Sequence, residues 1–141
     1  MSVTDTQYVV VEFEESAPVR AGFDRLHTLA ESGSVTVLDA EFIRSIQGIA
    51  STVPASRVDA GLAEFDALDT RLLSQSDLDI VVDTITGRHM VAAVLVFSGP
   101  IDEALADWAS AGAVVVRHGA VAPADLAAAQ AGESGVSLLG V

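Results

Sequence analysis

The chain has 141 residues, no cysteine, and 20 acidic against 7 basic side chains, for a net charge of −13. That length supports one domain around one core, and the seven basic residues, all arginines scattered from Arg20 to Arg117, form no stripe that would neutralise phosphates or an anionic membrane surface. With no cysteine there is no disulfide framework, thiolate nucleophile or cysteine metal site, and 50% hydrophobic residues place the chain outside the disordered class.

From the start, Met1 to Gln7 carries Asp5 and lacks the positive lead of a secretory signal. The longest apolar run, Met90 to Phe97, is less than half of the ~20 residues a membrane-spanning helix needs. A cytoplasmic protein without a membrane or nucleic-acid partner is expected. Tyr8-Val-Val-Val-Glu-Phe13 reads as a buried strand. Ser16 and Pro18 then open a helix with Val19, Phe23, Leu26 and Leu29 on one stripe, ended by Gly33. Val35 to Ile46 resumes a strand, with Leu38, Ala40, Phe42 and Ile46 on one face and Asp39 and Glu41 on the other. The same order returns late: a strand Met90 to Phe97, a helix opened at Ser98-Gly99-Pro100 that carries Ile101, Leu105 and Trp108, a stop at Gly112, and a strand from Ala113 to Arg117. Two such units predict an α+β, ferredoxin-like split βαβ sandwich.

Between the halves lies a helical insertion, residues 47–87. Gly48 to Ser56 predicts a loop or weak edge strand. Leu62, Phe65, Leu68, Leu72 and Leu73 form a helical stripe, and Ser76 caps a second segment with Leu78, Val81, Val82 and Ile85. Pro123 to Gln130 makes a short C-terminal helix that completes a single domain over residues 1–131. The glycine-punctuated stretch 132–141 is expected to be a flexible tail, and its apolar residues Val136, Leu138, Leu139 and Val141 form a candidate docking segment for a protein partner.

Val9 to Val11 and Met90 to Phe97 are apolar on both faces, whereas a sheet covered on one face should alternate. The second face therefore needs a cover, either the inserted helices or the sheet of another subunit. Chemistry-bearing residues are sparse. Glu12 interrupts an apolar strand and needs a partner such as Arg88. Arg44, Arg88 and His89 are expected near one end of the sheet, and with Glu12 they form the candidate polar or ligand site. His27, His89 and His118 do not cluster, so a shared metal is not expected, and Asp77, Asp79 and Asp83 read as a solvated acidic face. Phosphate-binding glycine loops and a nucleophile elbow are missing. Neither catalytic residues nor a cofactor are predicted.

Several stretches carry a resemblance: Tyr8 to Phe13, the helix ending at Gly33 with Val35 to Phe42 behind it, Ser76-Asp-Leu78, Val91 to Val121, and Pro123-Ala-Asp-Leu126. In this order they resemble an uncharacterised, mostly actinobacterial family of small ferredoxin-like domains of unknown function. The resemblance implies a self-associating domain, sometimes linked to stress responses, with no assigned reaction. Where members of that family carry a glycine-rich apolar insertion, Gly61 to Ile85 here is amphipathic and acidic. The leading expectation is a non-enzymatic homo-oligomer joined through the apolar sheet face or the inserted helices. The alternatives are a small-ligand binder or cofactor-free enzyme of the dimeric α+β barrel type, and an adaptor that docks through its C-terminal tail.

Overall fold

The structure is a computed structural model that describes residues 5–15, 17–85, 90–133 and 135–139. Its core is one antiparallel sheet. The strands β1 (Gln7–Glu14), β2 (Thr36–Ile46), β3 (Ile49–Val53), β4 (Met90–Ser98) and β5 (Val114–Ala120) lie in the order β3-β2-β4-β1-β5. β4 is central, and Val91 to Phe97 are all buried because β1 and β2 flank the strand and chain segments cover both faces. The helices are α1 (Arg20–Glu31), α2 (Ala55–Val58), α3 (Gln75–Thr84), α4 (Asp102–Ser110) and α5 (Pro123–Gln130), with a 3-10 helix at Ala60–Leu68.

Strand alternation divides the apolar residues into two cores. Val9, Val11 and Phe13 enter the first, whereas Tyr8 and Val10 enter the second. In the first core α1 and α4 pack together on the sheet, and the ring of Phe23 lies 5.0 Å from Trp108, 5.3 Å from Phe42 and 5.4 Å from Phe65. Gly22 makes this packing possible, since a Cβ there would sit 2.2 Å from a Trp108 ring carbon. Hydrogen bonds within α1 and α4 satisfy their own backbones, so these helices bring almost only apolar groups to the face they cover.

The second face is covered by the chain itself. Leu72, Leu73, Leu78 and Val81 from the insertion, with Val121, Leu138 and Leu139 from the C-terminal region, are all buried against Tyr8, Val10, Ala92, Val94 and Val96. Both faces are thus covered as the apolar strands required, by the intramolecular route.

Several elements differ from the sequence reading. The weak segment after Gly48 is a paired strand, β3, joined to β2 through Gln47 (φ 52°) and Gly48 (φ 80°). Two positive φ values in a two-residue connection match the right-handed twist of the flanking strands. The Leu62 to Leu73 stripe is not one helix. The 3-10 turn stops at Leu68, and the irregular stretch 69–74 carries Leu72 and Leu73 to the opposite sheet face from Leu62 and Phe65. Ser74, not Ser76, caps α3, and the Asp77 side chain answers it in a capping box. The first helix starts at Arg20 with no side-chain cap, and its expected cap, Ser16, lies outside the described residues. The expected flexible tail is in its described part a packed segment: Leu138 and Leu139 are 3% and 1% exposed, in the same core as Tyr8 and Val10 of β1.

Candidate functional site

β2 sends Asp39, Glu41 and Ile43 toward the second face, and both acids are buried, at 0% and 2% exposure. Their oxygens receive the backbone of the stretch above. Thr70 N–H donates to Oδ1 of Asp39 at 2.8 Å and Leu72 N–H to Oδ2 at 3.3 Å, while Leu73 N–H donates to Oε2 of Glu41 at 3.1 Å. The Thr70 hydroxyl lies 2.8 Å from the Leu38 carbonyl and 3.1 Å from Oδ1 of Asp39. Burial, followed by the hydrogen bond to Asp39 and the charge of that neighbour, pushes Glu41 up to about 9, with the Leu73 N–H acting the other way. Glu41 therefore keeps its proton at neutral pH and shares it with Asp39. Asp69 joins this pair, and one oxygen from each of the three acids lies within 4.8 Å of the others, the one such grouping of potential metal ligands among the described residues. The oxygens of Asp39 already accept N–H groups, and the shared proton offsets the charge that a cation would otherwise be needed to balance.

Asp77 is the second carboxylate of this kind. It was expected on a solvated acidic face, yet it is fully buried. Its Oδ1 accepts the Ser137 hydroxyl at 2.6 Å and the Leu139 N–H at 3.2 Å, and its Oδ2 accepts the Leu138 N–H at 3.0 Å. The Leu139 carbonyl accepts from the Arg117 guanidinium at 2.9 Å and from the Tyr8 hydroxyl at 3.3 Å. A cradle of α3, β1 and β5 thus holds a Ser-Leu-Leu segment by its main chain, with both leucine side chains in the core.

Of the candidate polar site, Glu12 and Arg44 lie among the described residues. Glu12 is buried at 5% exposure on the second face. It lines a cavity of about 410 Å³ together with Glu14, Thr84, Met90, Val114 and Val116. Arg44 shares the parity of Ala40 and Phe42, which belong to the first core, and it forms an ion pair with Glu15. Alternation thus separates Arg44 from Glu12, and Arg88 and His89 lie outside the described residues. Of the docking segment, Val136 packs against the second core, Leu138 and Leu139 are buried in it, and Val141 lies outside the described residues. These leucines thus pack on the chain's own sheet. Of the histidines, His27 lies beside Glu31 and Glu64 at 2.7 and 3.4 Å, and His118 at 2.9 Å from the Gln7 side chain.

One surface feature was missed entirely. β5 is an edge strand whose only neighbour is β1, and Val114, Val115 and Val116 are 58%, 40% and 36% exposed. Its one charged residue, Arg117, is engaged with Tyr8 and Leu139. The sequence signal was the run Val114-Val115-Val116 itself, which cannot be buried on both faces in a strand that lies beyond α4 at the margin of the sheet. No protein-family model, curated protein or solved structure matches the chain.

Proposed function

We propose that the chain is a non-enzymatic, self-associating domain that pairs through the β5 edge. The observation that carries this reading is the row of three exposed valines on an edge strand. Natural edges are usually blunted by proline, outward lysine or a short length. β5 is seven residues long, has no proline, and turns its arginine inward. A bulge opposite Val10 and Val11 is its one protective device. The opposite edge, β3, has five residues, and its exposed Ile49 lies at the hairpin end. Both the apolar sheet face and the inserted helices that cover it are occupied within the chain, which favours the edge as the contact.

The finer fold assignment belongs to the same proposal. β5-β1-β4-β2 is the order of a ferredoxin-like split βαβ sheet, here extended by β3, and α1 and α4 fill the two crossovers. This order also supports the resemblance to the self-associating actinobacterial domains, and a cytoplasmic setting accompanies it. Light scattering across a concentration series tests the pairing. The wild-type chain should exceed 14.5 kDa, and Val115→Lys, which places like charges along a symmetric edge pair, should return it to that mass. A wild-type chain that stays at 14.5 kDa into the hundred-micromolar range refutes it.

The cavity beside Glu12 favours a second reading, a binder of small apolar ligands with a donor group at one end. Under this reading, hexylamine should raise the melting temperature of the wild-type chain and fail to raise that of Glu12→Gln.

A further inference from the structure

We propose that the cavity beside Glu12 and the β5 edge are one site, in which pairing of two copies completes the seat of a short alkylammonium ligand and the ligand in turn strengthens the pair. The inference rests on both readings above, the edge pairing and the apolar-ligand cavity, and couples them. The observation behind it is that the same residues serve both: Val114 and Val116, two of the three exposed edge valines, also line the cavity. α3, part of the cover of the second face, ends at Thr84, itself a lining residue. The cavity of about 410 Å³ thus lies between the end of that cover and the strand that a second copy would meet. Glu12 and Glu14 place carboxylates beside an apolar wall of Met90, Val114 and Val116, a lining that suits an ammonium head on a short apolar chain.

Strand parity fixes how a second copy meets the cavity. Val115 pairs with Val11, which enters the first core, whereas Val114 pairs with Glu12 on the second face, and Val116 joins Val114 in the cavity lining. Two antiparallel β5 strands related by a two-fold axis normal to the sheet keep equivalent faces on the same side. The register with Val115 opposite the partner's Val115 matches all three valines, since Val114 then stands beside the partner's Val116 and Val116 beside the partner's Val114. Opposed side chains in such a pair lie about 5 Å apart at Cβ, and the axis passes within one residue of both lining valines, so the partner's valines extend the cavity wall. Each ligand methylene that they cover is held about fourfold more tightly by the pair than by the single chain. By linkage the ligand favours pairing by the same factor.

Hexylamine is the probe, with ammonium chloride at equal concentration as the control for screening of the chain's net charge of −13. In sedimentation velocity across a concentration series, saturating hexylamine should lower the dimer dissociation constant of the full chain about fourfold or more beyond the ammonium control. Titration calorimetry should find hexylamine bound about fourfold or more weakly to Val115→Lys, which breaks pairing from a position outside the cavity lining. A wild-type dimer whose dissociation constant is unmoved by hexylamine that calorimetry shows to bind overturns the coupling and leaves both readings standing. A dimer that binds no hexylamine removes the cavity reading and the coupling with it. A chain that is monomeric with and without hexylamine removes the pairing reading and, likewise, the coupling. Should Val115→Lys not fold, the wild-type chain diluted below its dissociation constant takes its place, and equal affinity for hexylamine above and below that concentration overturns the coupling.

Discussion

The two faces of the sheet are covered by different kinds of chain, and their chemistry differs accordingly. The first lies under α1 and α4, and its core is an aromatic cluster around Phe23. The second lies under an irregular stretch, one helix and a C-terminal segment, and it holds Asp39, Glu41 and Asp77, three of the four buried polar residues among the described ones, within reach of that cover. A helix brings a satisfied backbone to the interface, whereas irregular chain brings N–H groups that must find an acceptor where water is excluded. Buried carboxylates supply it on the second face. The comparison teaches that buried acids in an apolar protein need not mark catalysis, because a cover without regular structure demands them.

That contrast can be broken from either side. The largest effect is expected on the first face, where Trp108→Ala should destabilise the fold by ~3–5 kcal/mol in denaturant unfolding, the range for an emptied aromatic core position. On the second face, Asp77→Ala should cost about 2–3 kcal/mol, because the Ser137 hydroxyl and the Ser74, Leu138 and Leu139 N–H groups all lose their acceptor. Hydrogen exchange separates this from a general loss: the Leu138 and Leu139 amides should lose protection while β4 keeps it. Gly22→Ala sharpens the account of the first face. A mid-helix Gly to Ala change ordinarily stabilises by about 1 kcal/mol, yet here the new methyl meets Trp108, and overpacking should make the change destabilising by ~1–3 kcal/mol.

More diagnostic is the pH response of Glu41. Its folded value of about 9 lies above its ordinary value of 4.5, so the stability that this proton contributes is complete below pH 4.5 and is lost as pH rises through 9. Across that window the unfolding free energy should fall by at most ~1.4 kcal/mol per pH unit. Glu41→Gln, which keeps a neutral acceptor for the Leu73 N–H, should flatten the slope without a large change at pH 5. The smallest effect is on association: a chain of net charge −13 repels its copy, so raising salt from 20 to about 200 mM should strengthen dimerisation several-fold.

Hydrophobic periodicity and glycine stops made the repeated strand-helix-strand units legible, because a strand at period 2 and a helix near period 3.6 write different patterns. The doubly apolar runs Val9 to Val11 and Met90 to Phe97 further required a sheet covered twice. The candidate site was much less legible. Asp39 and Glu41 alternate with Ala40 and Phe42 as any solvent-facing pair would, and only the arrival of residues 69–73 above them makes that face an interior. Asp77 looked like one acid among three, and its burial depends on a segment 60 residues further along the chain. By itself, then, the sequence determined the α+β class, the repeated elements and the need for a second cover, since these follow from local pattern and composition. Which segments supply that cover, which acids they bury and which strand is left at the edge were decided by tertiary structure alone, because each depends on contacts between residues far apart in the chain.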